Sequence, residues 1–235
     1  MHFRGGVIIV GSLIWDTSIA REKWRRVAFI NSVERIKVPV KIRYGRESRS
    51  RSDTYSMIFS NHPSTEFGEA FILEFKDPIK SFKNLEEQAY NLAQAEGIYR
   101  DHNERTLLAN WGAVGVLFNP DIEGKDKRNS DFLKNKWKGM YRGFNKMVPD
   151  KYTIDKSEMP VITEEGFLHI DWVEEMDDFD LLLATPTVPN TGRPLTAREI
   201  ADRMNEKKYW DYFSKNRDNQ ISTFQDIEIS KFLNS

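Results

Sequence analysis

The chain has 235 residues, with 35 basic against 36 acidic side chains, a formal net charge of -1 and no cysteine. That length buries a substantial core without staples. Disulfides, thiolate metal sites and cysteine nucleophiles are excluded together, which suits a reducing cytoplasm, the expected location. The charge balance leaves no overall field to draw nucleic acid or an anionic membrane, and no run of about 18 apolar residues occurs.

Val7-Ile8-Ile9-Val10 is a β-branched run released into Gly11-Ser12, the pattern of a buried strand entering a tight turn. Without a Cβ at Gly11 a ligand can approach the main chain, so the amides of Gly11, Ser12 and Leu13 are candidate anion donors. Asp16 or Thr17 is placed to cap a helix running to about Phe29, with Ile19, Trp24, Val27 and Ala28 toward its inner side. Residues 33–44 read as one long strand or a pair, Pro39 marking an edge or a bulge. Residues 44–52 read as a polar loop. Arg43, Arg46, Arg49 and Arg51 there face only Glu47, which leaves three readings open: a solvated hairpin, a clamp for an anionic substrate, or an RNA contact. Residues 54–60 and 69–75 read as antiparallel strands around the Asn61-His62-Pro63-Ser64 turn.

Leu85, Ala89 and Leu92 then follow helical spacing, and the next position on that face is Glu96, just before the stop signal Gly97. Burial and the negative end of the helix dipole should both raise the Glu96 pKa, so that it can take and return a proton. A solvated Glu96 on a slightly rolled helix is the competing reading.

Residues 113–119 form a further strand closed by Pro120, and the charged stretch 121–131 reads as a boundary or exposed loop. Phe132, Leu133, Trp137, Met140 and Tyr141 recur at helical spacing as packing groups. Residues 167–173 alternate like a strand. The acidic run 174–180 lacks the ligand spacing of a calcium loop and is expected to be solvated, with the basic loop near Arg49 as its partner. Residues 181–184 are a short buried strand. Thr196-Ala197-Arg198-Glu199 is a capping box opening a helix that could reach Phe213, and Phe224, Ile227 and Leu233 mark a final helix.

No metal or cofactor is expected. The four His never fall at i, i+4 spacing, and neither a phosphate-loop nor a dinucleotide glycine pattern occurs. Ser12 beside His102 or His169 would make a nucleophile pair, but the Gly-x-Ser-x-Gly elbow is missing.

A strand entering Gly11-Ser12-Leu13, the later strand Gly68-Glu69-Ala70-Phe71-Ile72-Leu73 and a helix ending in Glu96-Gly97 together resemble the γ-glutamylcyclotransferase-like superfamily over roughly residues 6–120. Val10 and Leu13 depart from the Tyr and Asn usual there. The resemblance implies an α+β fold with a small mixed β-barrel over 1–120; residues 121–235 lie beyond it and read as a mostly helical extension that carries one or two strands and packs on the same domain. It also implies that Glu96 is the general acid/base, that Gly11, Ser12 and Leu13 hold the substrate, and that Ile14, Arg43 and Arg49 complete the candidate substrate-binding set. The implied reaction is intramolecular aminolysis of a γ-glutamyl amine or related amide, releasing 5-oxoproline and a free amine. The partner would be a small molecule bearing a carboxylate and an amine; neither nucleic acid nor a membrane is expected, and a homodimer stays open. The alternative is a non-catalytic ligand-binding or protein-interaction module on the same fold.

Overall fold

The computed structural model describes residues 1–29, 35–99, 105–144 and 147–233. The strands are β1 (Gly5–Ile9), β2 (Ile36–Ser48), β3 (Thr54–Phe59), β4 (Phe67–Glu74), the short pair β5 (Leu108–Ala109) and β6 (Gly112–Ala113), β7 (Gly115–Phe118) and β8 (Leu181–Ala184). The helices among the described residues are α1 (Ile19–Ala28), α2 (Phe82–Glu96), α3 (Ile122–Phe144), α4 (Ala197–Lys207), α5 (Asp211–Asp218) and α6 (Asp226–Leu233). Six strands make one mixed sheet in the order β3-β2-β4-β1-β8-β7, curled into a half-barrel, so the class is α+β.

β1 is buried at every position because it has neighbours on both edges, β4 antiparallel and β8 parallel. A strand covered on both faces and paired on both edges reads as the continuous apolar run seen in the sequence. β8 comes from the second half of the chain yet lies between β1 and β7, so the sheet draws on residues from both sides of position 120.

Several local expectations are corrected. The predicted polar loop at 44–52 is mostly strand: β3 pairs Tyr44 with Met57, Arg46 with Ser56 and Ser48 with Thr54, and only Arg49–Arg51 form a 3-10 turn. Strands β3 and β4 do not pair with each other around residues 61–64. β2 lies between them, and its 13 residues bond β4 through the first half and β3 through the second. Pro39 falls in the first half, where β2 has a partner on one side only, so its missing N–H breaks no ladder.

On α1, Trp24 and Ala28 are buried, but Ile19 and Val27 point outward at 85% and 61% exposure. Its N-cap is Ser18, whose amide donates to Asp16 Oδ1 at 2.8 Å, so neither Asp16 nor Thr17 caps it. Most of the stretch 121–131 is helical. It belongs to α3, kinked at Asp126, whose carboxylate accepts the Asn129 amide at 3.2 Å and restarts the helix there. Residues 167–173 form no strand; Phe167 and Leu168 make isolated bridges to Val116 and Ile162. The acidic run pairs with Arg4 and Lys125 rather than with the Arg49 turn: Asp178 lies 3.3 Å from Arg4, and Asp180 3.1 Å from Lys125. α4 stops before Phe213 because Lys208 turns left-handed at φ 50. On α6, Ile229 is the docked residue and Ile227 faces outward. Among the described residues no helix is long and apolar enough to cross a membrane.

Candidate functional site

The site forms where β1 ends. Gly11 caps a 3-10 turn over Ser12–Ile14, and the first bond inside that turn runs from the Ile14 amide to the Gly11 carbonyl at 3.3 Å. The amides of Gly11, Ser12 and Leu13 come before it and have no acceptor within the turn. Arg25 fixes the turn from behind, donating to the carbonyls of Leu13 and Asp16. Gly11 is packed so closely that a Cβ there would stand 2.7 Å from the Tyr212 hydroxyl.

α2 reaches the same place. The Ser81 hydroxyl accepts the Asn84 amide at its start, and Leu85, Ala89 and Leu92 are fully buried along it. Gly97, left-handed at φ 82, ends it, with the Ile98 amide returning to the Ala93 carbonyl at 2.8 Å. That stop sets Glu96 at the mouth of the buried face.

The two ends meet across a cavity of about 470 Å³ whose walls include Gly11, Ser12, Leu13, Arg21, Arg49, Arg51, Glu96 and Tyr212. Arg21 joins them. One guanidinium nitrogen donates to Ser12 Oγ at 2.9 Å and to Asp16 at 2.8 Å, and the other lies 3.4 Å from the Glu96 carboxylate. No protein-family model, curated protein or solved structure matches the chain. The chemistry therefore rests on this geometry.

The Glu96 side chain is 18% exposed. Burial raises its pKa above the ordinary glutamate value, with Asp16 adding to the rise and the guanidinium charges of Arg21 and Arg51 opposing it. For Asp16 burial is also the largest influence, but hydrogen bonds from Ser18 and the charge of Arg21 outweigh it and hold the pKa low. The two acids thus differ: hydrogen bonds and Arg21 favour the anionic form of Asp16, while burial favours the protonated form of Glu96.

Of the residues singled out from sequence, Glu96, Gly11, Ser12, Leu13 and Arg49 line this cavity. Ile14 and Arg43 are not among its walls. Ile14 is buried beneath the turn. Arg43, 2% exposed, donates to Ser64 at 3.0 Å, Thr65 at 3.2 Å and the Leu195 carbonyl at 3.4 Å. Ser12 Oγ accepts from both Arg21 and Arg51, and among the described residues no His lines the cavity to act as its base. His102 lies outside the described residues. Among the described residues no group of three His, Asp or Glu could hold a metal ion.

Sequence reasoning missed Arg21 and Tyr212. Arg21 is one of several basic residues on α1 and nothing in the sequence sets it apart; its place three residues past the Ser18 cap brings it over the Gly-Ser turn. Tyr212 arrives from α5, 200 residues away, and nothing local marks it.

Proposed function

We propose that this cavity catalyses intramolecular aminolysis of a γ-glutamyl amine or related amide, on a small mixed barrel of the γ-glutamylcyclotransferase-like type. The observation that carries the reading is the Arg21 bridge, which brings the Glu96 carboxylate and Ser12 onto one cavity. The substrate α-amine attacks in its neutral form at the γ-carbonyl carbon, and as it does so the Glu96 carboxylate takes a proton from the attacking nitrogen. A new C–N bond closes a five-membered ring. As the old amide C–N bond breaks, protonated Glu96 returns its proton to the departing nitrogen, leaving 5-oxoproline and a free amine. A raised pKa suits both halves, since a strongly acidic carboxyl would be a poor proton acceptor. The amides of Gly11, Ser12 and Leu13 hold the α-carboxylate, and Asp16 keeps Arg21 in place.

Screening γ-glutamyl amides and peptides for 5-oxoproline release tests the reading. Glu96→Gln should lower turnover by about 100-fold or more with the fold retained; unchanged turnover in that variant defeats it. The second reading is a non-catalytic ligand-binding module, favoured by Val10 and Leu13 in the turn. It expects no 5-oxoproline from the unaltered protein and ligand affinity that survives Glu96→Gln.

A further inference from the structure

The cavity holds more positive charge than Glu96 and the Gly-Ser turn need. Arg46 on β2, together with Arg49 and Arg51 in the turn that follows, lines the wall facing them. The two carboxylates on the cavity are already engaged: Glu47 lies 2.5 Å from Arg203, and Glu96 3.4 Å from Arg21. Among the described residues no Asp or Glu lies within ion-pair distance of Arg46, Arg49 or Arg51.

The wall is also a built surface. Arg51 donates to Ser48 Oγ at 3.2 Å and Ser12 Oγ at 3.1 Å, with its guanidinium 4.0 Å from the centre of the Tyr212 ring. Arg46 donates to the Val188 carbonyl at 2.5 Å. The hydroxyls of Ser48 and Ser50 stand 3.0 Å apart on the same lining. Ser52 and Asp53, left-handed at φ 53 and 58, lead the chain from that turn into β3. Burial, and then the like charge of Arg51, hold the Arg46 pKa below its usual range. An anion in the cavity would relieve that repulsion. On another wall, the Thr185 hydroxyl is buried with no hydrogen-bond partner among the described residues.

We propose that this wall is a subsite for the phosphate group of a small organic phosphate, gripped by Arg46, Arg49 and Arg51 with the hydroxyls of Ser48 and Ser50. Three guanidiniums and two hydroxyls offer more donors and more charge than a single carboxylate uses, and they match a dianion with three free oxygens. A cavity of about 470 Å³ fits a small molecule. Binding of single-stranded RNA calls for exposed aromatic faces, and Arg51 already covers Tyr212. The inference stands on these side chains and is independent of the reaction assigned to Glu96.

Calorimetric titration of the full chain with pyrophosphate, inorganic phosphate, glutarate and a short oligoribonucleotide tests it. Pyrophosphate should bind about tenfold or more tightly than glutarate, and Arg49→Gln and Arg51→Gln should each weaken it by about tenfold. Arg49 is exposed, so its substitution leaves the fold intact even if Arg51→Gln disturbs the turn. Equal affinity in Arg49→Gln, Arg51→Gln and the unaltered protein means an adventitious ion only and overturns the proposal. Glutarate binding as tightly as pyrophosphate overturns it in favour of a carboxylate clamp, and a preference for the oligoribonucleotide overturns it in favour of an RNA contact. Pyrophosphate binding without any 5-oxoproline release would keep this subsite while removing the reaction proposed for Glu96.

Discussion

Glu96 and Asp226 are both carboxyls whose proton affinity is raised by burial, and they sit in very different surroundings. Asp226 is only 3% exposed; burial lifts its pKa to about 6 despite hydrogen bonds from the Thr223 amide at 3.1 Å and hydroxyl at 2.5 Å. Its second oxygen has no hydrogen-bond partner among the described residues, and it lines none of the cavities described above. Glu96 opens onto a cavity, faces a guanidinium and shares that cavity with the Gly11-Ser12 turn. A displaced pKa by itself records only that a carboxyl left water. Proton transfer to a ligand also needs access and a neighbour that answers the change in charge.

The contrast is broken or sharpened by substitution at each place. The largest effect should be on turnover: Glu96→Gln should cost about 100-fold or more, whereas Asp226→Asn should leave 5-oxoproline release within about twofold. Comparable losses in both would erase the distinction. Stability should show the reverse pattern. A carboxyl with a raised folded-state pKa contributes stability that is fully present below the unfolded value and lost as pH rises through the folded one. For Asp226 that window runs from the ordinary 3.8 to about 6. Asp226→Asn should therefore gain about 3 kcal/mol near pH 8 and almost nothing near pH 4, read from urea unfolding at the two pH values.

Arg21→Gln sharpens the Glu96 side. Its positive charge is the strongest influence opposing the raised pKa, so removing it should move the acidic limb of the kcat/KM profile to higher pH. A limb that stays put, or moves down, would show that Arg21 does not act on Glu96. The smallest effect is expected away from both carboxyls. Thr196 and Glu199 form a complete capping box at the start of α4, and Thr196→Ala should cost about 1 kcal/mol in thermal or urea unfolding while turnover is unaffected.

Legibility of the chain followed the range of the interaction involved. The buried β1 run, the Gly97 stop after Glu96 and the Thr196 capping box are each decided by residues within one or two turns of one another, and each stands where the sequence places it. Errors gathered where a local pattern had two solutions. The alternation in 167–173 meets the edge strand β7 only through the single bridge of Phe167 to Val116, and the charged stretch 121–131 holds a helix restart at Asp126. Helical spacing turns Ile19 and Val27 inward with Trp24 and Ala28, but only Trp24 and Ala28 are buried.

The sequence by itself determined the local devices: a glycine bend after an apolar strand, an acid at the last turn of an amphipathic helix, and a cluster of arginines in one short stretch. These follow from backbone sterics, helix periodicity and capping, which act over a few residues. Only the tertiary structure decided that β2 would part β3 from β4, that β8 would lie beside β1, and that Arg21, Arg51 and Tyr212 would gather at Ser12. Contacts between residues as far apart as Trp15 and Asn216, joined at 2.7 Å, leave no periodic trace along the chain. They are selected by which surfaces can be buried together once the whole chain has collapsed.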